Sequence, residues 1–371
     1  MDRLKKWRLI LGKKSDTENE VGLSAAEAGM DGVLEALYDS EREGGLGASS
    51  PNINRWLGDI RKYFKTPTVQ VMQKDALERL NLKKILTQPA LLEMMEPDVS
   101  LVATLISLNK VMPARTKETA RAVVRKVVED LEKKLRLPLQ QAIRGALNRA
   151  TRNRRPKYNE IDWRRTIRAN LKNYQPAYNA IIPEILIGHS RKRQSLKEVI
   201  LLVDQSGSMG HSVVYASVFG SVMASMRSLK THFIAFDTNV VDLTAELHDP
   251  VDLLFGVQLG GGTDINQAVG YAQGLVRSPS DTILIIISDL YEGGNESQLL
   301  KRMASWKAGG VLVVVLLALD DQGAPAFDRA LAARLAAMDI AAFACTPDRF
   351  PELMQAAINN KGMEAVANLP V

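Results

Sequence analysis

"ILLVDQSGSMG", residues 200–210, decides how this chain is read. A run of apolar residues, 199–203, ends in Asp204. Ser206 and Ser208 then alternate with Gln205 and Gly207, and a helix is expected from near Ser212. A strand with one solvated face would alternate polar and apolar residues, so a continuous apolar run predicts a strand covered on both faces. Oxygen-bearing side chains at alternate positions just past its end would ring the mouth of that strand.

The same grammar continues downstream. Apolar runs recur at 231–236, 282–287, 311–319 and 341–344, and helices are expected from near Ile265, Glu296, Asp328 and Pro351. Buried strands separated by helices predict a mainly parallel sheet with helices on both faces, a doubly wound (Rossmann-like) α/β domain. "VVDLT", 240–244, adds an antiparallel hairpin strand. Ligands of such folds bind at the carboxyl ends of the strands. Three of those ends carry oxygens: Asp204, Ser206 and Ser208 on the first, Thr263 and Asp264 in the loop "LGGGTDIN", and Ser288 and Asp289 after "TILIII".

This set has carboxylates and hydroxyls, with no imidazole and no thiolate. It suits a hard cation such as Mg²⁺ or Mn²⁺ better than Zn²⁺. Asp264 reads as the N-cap of the following helix. Competing motifs fail: "SGSMG" is not GxSxG, no GxxxxGK[ST] loop exists to hold ATP phosphates, and the four histidines lack metal-ligand spacing. His211 reads as a helix-start histidine, and the single cysteine, Cys345, as core.

Upstream, 1–155 predicts an all-α N-terminal domain. Helices are expected from near Asp2 to Gly12, over 17–38, from the Ser50-Pro51 cap through Trp56 and Tyr63, over 88–95 and 99–111, and over 116–153. A Gly/Ser loop covers 41–52, and Pro138 is expected to kink or interrupt the last helix. Residues 156–195 read as a basic connector, with a short helix over 161–174 capped by Asp162 and an extended run over 175–195. The α/β domain is expected over 196–371.

The net charge of +6 hides a split. Residues 101–200 hold 23 Lys+Arg against 8 Asp+Glu, whereas 196–371 hold 11 against 19. Arginines mixed with Tyr158, Trp163 and Tyr174 could bind nucleic acid, and the same surface could dock an acidic protein. One cysteine excludes an intramolecular disulfide and fits a cytoplasmic setting. No apolar stretch near the start is long enough for a signal peptide, and the nine residues 311–319 are too few for a membrane span, which needs roughly 20.

Asp204, Ser206, Ser208, Thr263 and Asp289, in this order and on these elements, resemble the metal-ion-dependent adhesion site (MIDAS) of von Willebrand factor A (VWA) domains. The helical region, "DWRRTIRANL" and "VILLVDQSGSM" together resemble bacterial CoxE-like VWA proteins. "KKWRLILG" and "GGLGASSPNINRWL" are similar to a branch of YehP type. The resemblance implies Mg²⁺ at those five residues, no catalytic activity, and work beside a MoxR-type AAA+ ATPase or its client in chaperone-like maturation. VWA domains often carry Gly after the strand-end aspartate. Here Leu290, Tyr291 and Glu292 intervene before Gly293, so Glu292 is a further candidate to reach the ion.

Overall fold

The computed structural model describes residues 2–16, 21–38, 50–79, 86, 88–150, 152–153, 158, 161–189, 196–257, 260–320 and 326–359. They form two compact units, Met1–Asp130 and Leu131–Val371.

The first unit is helical: α1 (Arg3–Leu11), α2 (Ala25–Tyr38), α3 (Ser50–Tyr63), α4 (Thr66–Arg79), α5 (Pro89–Glu93), α6 (Val99–Ser107) and the start of α7 (Ala114–Ala150). Helix α2 starts later than expected, at Ala25, and most of the expected Gly/Ser loop lies outside the described residues. Helix α4 was not expected. It buries Val69, Met72, Gln73 and Ala76, an i, i+3, i+4, i+7 stripe. Helix α7 runs unbroken through Pro138, which was expected to kink or interrupt it. The ring removes one N–H, and the stripe Leu135, Leu139 and Ile143 stays buried on both sides of it, holding the helix together.

The second unit begins with the end of α7. Strand β1 (Arg152–Asn153) follows, then α8 (Trp163–Ala169), β2 (Tyr174–Gln175), β3 (Ala180–Ile181) and β4 (Gly188–His189). Asp162 caps α8, accepting from the Arg165 N–H at 3.1 Å. The expected extended run is instead folded: β2 and β3 form a hairpin, and β4 pairs back onto β1. Buried Asn170 is the reason. Its Nδ2 donates to the carbonyls of Thr166 and Ile185, and its Oδ1 accepts from the N–H groups of Glu184 and Ile185.

The sheet then follows with its helices: β5 (Lys197–Asp204), α9 (Gly210–Ala224), β6 (Leu229–Phe236), β7 (Val240–Asp242), α10 (Pro250–Gly256), α11 (Ile265–Gln273), β8 (Thr282–Ile287), α12 (Glu296–Ala308), β9 (Leu312–Leu319), α13 (Arg329–Ala337), β10 (Ala341–Cys345) and α14 (Phe350–Ile358). Strand order is β10-β9-β8-β5-β6-β7, all parallel except the short hairpin strand β7. The pairing of β10 with β9 shifts register between Phe343 and Ala344.

Both faces are packed. Ile200, Leu202, Ile234, Leu284, Ile286 and Val315 meet Val269 of α11, Met303 of α12 and Leu335 of α13. The intervening residues turn to the other face, where Gly220 of α9 lets the helix approach Leu201 and Phe233. There Phe219 of α9 stacks on Phe350 of α14, with ring centroids 4.2 Å apart. This double burial explains why the strands read as continuous apolar runs.

Phe219 and Phe350 are both fully buried, so Phe219→Ala removes a packed ring and leaves a cavity. A loss of about 3–5 kcal/mol in urea unfolding is expected. A loss below 1 kcal/mol would mean that α14 does not seal this face.

Candidate metal centre

Strand order reverses between β5 and β8. From β5 the chain moves outward to β6 and β7, and from β8 it moves the other way to β9 and β10. Crossovers leaving to opposite sides open a crevice at the carboxyl ends of this pair. Asp204 ends β5, and Ser288 and Asp289 follow β8, so the sequence places its carboxylates at the switch point.

Hydrogen bonds join the two ends. Asp204 is fully buried. Its Oδ1 accepts from the Ser206 N–H at 2.8 Å, and its Oδ2 from the Ser288 hydroxyl at 2.7 Å. Ser288 in turn accepts the Leu290 N–H. The Ser206 and Ser208 hydroxyls lie 3.2 Å apart, and Ser208 donates to Asp289 Oδ2 at 2.6 Å. Asp204, Ser206, Ser208 and Asp289 are thus one connected set. Ser288 joins them as a positioning residue. Its place in the strand-end "SD" was visible in the sequence, but its bond across to Asp204 was not.

Thr263 comes in on a third loop, outside this chain of bonds. Gly260 and Gly261 adopt φ of 116° and 113°, a region glycine tolerates best. The loop is stitched at three points: Gly260 N–H to the Gln205 carbonyl, Asp264 N–H to the Asp237 carbonyl, and Gly293 N–H to the Thr263 carbonyl. A Cβ on Gly293 would lie 2.9 Å from that Thr263 carbonyl, so only glycine permits the approach.

Asp264 caps α11, accepting the Gln267 N–H at 2.8 Å. Both Glu292 oxygens are engaged by backbone: Oε2 accepts from Ile265 and Oε1 from Gly294. Glu292 therefore clasps the start of α11. Burial, reinforced by the charge of Asp264, raises its pKa. The residue after the strand-end aspartate, Leu290, sits at φ 67°, a left-handed conformation that costs a non-glycine residue roughly 1–2 kcal/mol. Its side chain is buried in the core cluster, which offsets that strain. His211, at the start of α9, pairs through Nδ1 with Asp320 at 3.0 Å.

The electrostatics are unbalanced. Burial, with the nearby Asp289 charge adding to it, pushes the Asp204 carboxyl up to about 6, although Ser206 and Ser288 donate to it. Among the described residues no group of three or more His, Cys, Asp or Glu could hold a metal. A cation here would have to use hydroxyls beside the two carboxylates. Neighbouring ligands of an octahedral Mg²⁺ at about 2.1 Å stand roughly 3 Å apart. The Ser206–Ser208 and Ser208–Asp289 oxygen separations, 3.2 and 2.6 Å, bracket that spacing. The donor set therefore fits a small hard cation.

The sequence matches the family described as "VWA domain containing CoxE-like protein" over residues 132–354. An uncharacterized protein of Escherichia coli strain K12, YehP, is 36% identical over 354 residues, covering 93% of this chain and 93% of its own. Solved structures are more distant. An aerotolerance-related membrane protein from Bacteroides fragilis has a TM-score of 0.36 at 16% identity, over 44% of this chain and 98% of its own. The Deinococcus radiodurans RO (RSR) protein has a TM-score of 0.31 at 12% identity, over 96% of this chain and 83% of its own. With 36% identity to YehP along nearly its whole length and a family match spanning the switch-point site, the chain belongs to the CoxE-like VWA domain proteins.

Proposed function

We propose that Asp204, Ser206, Ser208, Thr263 and Asp289 hold Mg²⁺ or Mn²⁺ as a MIDAS. In this reading the protein is a cytoplasmic, non-enzymatic adaptor that takes a carboxylate of a partner protein there. The partner we favour is a MoxR-type AAA+ ATPase or its client. The observation that carries the reading is the close spacing of two serine hydroxyls and one aspartate oxygen beside a second, buried aspartate at the switch point.

When bound, the ion supplies a Lewis-acidic position for an incoming acidic side chain. The chain's own residues set how strong that position is. Ser206, Ser208 and Thr263 are neutral donors, so only two carboxylates oppose the divalent charge. Asp204 has both oxygens occupied by hydrogen bonds and is suited to act through water. Ser288 and Gly293 keep the three loops in register.

A second reading has an observation of its own. Tyr158, Trp163 and Tyr174 are all exposed in the basic stretch, beside exposed Arg164, Arg165 and Arg168. Aromatic platforms among cations fit single-stranded nucleic acid. If that is the function, a fluorescent oligonucleotide binds with an affinity that falls steeply with salt and drops with Trp163→Ala. Salt-independent or absent binding discards it.

For the metal reading, calorimetry should show one Mg²⁺ or Mn²⁺ per chain, and Ser208→Ala or Asp204→Ala should weaken it at least about tenfold while circular dichroism is unchanged. Partner affinity, compared in EDTA and in Mg²⁺ at fixed ionic strength, should fall roughly 30-fold or more without the ion. Equal affinities would remove the ion from the interface.

The pH dependence has a definite sign in metal-free protein. The folded Asp204 carboxyl holds its proton up to about pH 6, whereas its ordinary value is 3.8. Stability from this group is fully present below the lower value and is lost as pH rises through the higher one. Two units correspond to about 3 kcal/mol. Asp204→Asn in EDTA should therefore raise the melting temperature at pH 7 and leave it nearly unchanged at pH 4. An equal gain at both pH values would show that the carboxylate's charge is not what burdens the empty site.

A further inference from the structure

Helix α1, Arg3–Leu11, is docked with its polar side inward. Arg8 is buried and forms a two-pronged bond to Asp31, Nη1 to Oδ1 at 3.0 Å and Nη2 to Oδ2 at 3.2 Å, with Nε also 3.5 Å from Asp16. Lys5 reaches Glu27 at 3.0 Å. Leu9 is the only buried apolar residue of this helix. A surface helix ordinarily turns its apolar stripe to the core and its charges to water.

The outward side is apolar. Leu4, Trp7, Ile10 and Leu11 are 67, 50, 70 and 60% exposed. At about 100° per residue they fall within roughly one third of the helix circumference. Scattered single exposed apolar residues are ordinary, but four large ones in a contiguous stripe mark a contact surface. Lys6 is exposed along one border of the stripe, exposed Arg3 lies within its arc at the start of the helix, and exposed Lys13 lies just past its end. The only exposed acid on this segment is Asp2, ahead of the helix.

From this inverted docking we infer that α1 seats on an anionic lipid bilayer, with Leu4, Trp7, Ile10 and Leu11 in the headgroup–acyl boundary and Arg3, Lys6 and Lys13 against lipid phosphates. The charge pattern selects this occupant. A tryptophan and aliphatic face accompanied by lysine and arginine is the composition of an interfacial helix, and a negative surface complements all three cations. No described helix is long and apolar enough to cross a membrane, so the contact is peripheral. The Arg8–Asp31 and Lys5–Glu27 pairs are its mount: they fix the helix to the first unit by the side that does not touch lipid.

The test uses the full-length protein and vesicles of phosphatidylcholine, with or without an equal share of phosphatidylglycerol. Co-sedimentation is expected with the anionic vesicles, weaker by tenfold or more with neutral ones and in high salt. The double variant Leu4→Glu/Leu11→Glu should lose anionic-vesicle binding by tenfold or more with an unchanged melting curve, since both side chains are exposed. Trp7→Phe should retain binding while removing the blue-shifted emission that vesicles induce. Absence of vesicle binding overturns the inference, as does binding that the double variant keeps. So does wild-type self-association that the double variant abolishes, because a second copy would then cover the stripe. The metal variants leave this measurement untouched, so its failure and that of the adaptor reading are separable.

Discussion

The hydrogen bond from Ser288 to Asp204 ties the two central strands together at the one place where the fold changes direction. Asp204 cannot leave the interior without breaking it, and its other oxygen, Oδ1, sets the course of the "QSGS" turn by accepting the Ser206 N–H. Ser288 in turn fixes Leu290 through its N–H, and from Leu290 the chain bends to bring Gly293 against Thr263. A single buried carboxylate thereby organises three loops. The cost of burying it is visible in its raised pKa, and a divalent cation is the natural counterweight for two carboxylates so close together.

Legibility in the sequence followed the physics of burial. The five parallel strands announced themselves as unbroken apolar runs, and all five appear where the pattern places them; the exposed hairpin strand β7 was legible from "VVDLT" after Phe236. Helices that cap themselves locally were equally plain: Asp162, Asp264 and Asn295 each accept an N–H three residues on. Helix α4 was missed although it opens on Thr-Pro, the same kind of signal used at Ser50-Pro51, and its buried stripe includes a polar Gln73 that breaks an apolar count. Helix α10 was missed because it is only seven residues long, capped by Asp249 and started by Pro250. The compact fold of 161–189 was illegible for another reason. It rests on four hydrogen bonds of one asparagine to residues as far as 15 positions away, and no periodicity records those.

At the candidate centre, residue types and order were legible while roles were not. Glu292 looked free to reach the rim, yet backbone already claims both of its oxygens, Ile265 of the "TDIN" turn one and Gly294 of its own loop the other. Leu290 stands where VWA domains often carry glycine. It adopts a positive φ of 67° and anchors the turn by placing a large side chain in the core. The buried leucine side chain thus fixes by packing the turn that brings Gly293 against the Thr263 carbonyl.

The register shift between Phe343 and Ala344 has a consequence for how these molecules coexist at high concentration. Among the described residues, strand β10 is the margin of the sheet on one side and three-residue β7 the margin on the other. A kinked border and a stub are poor templates for a further strand, because each offers too few evenly spaced amides to pair. Both described margins thereby disfavour edge-to-edge pairing with a strand of another chain.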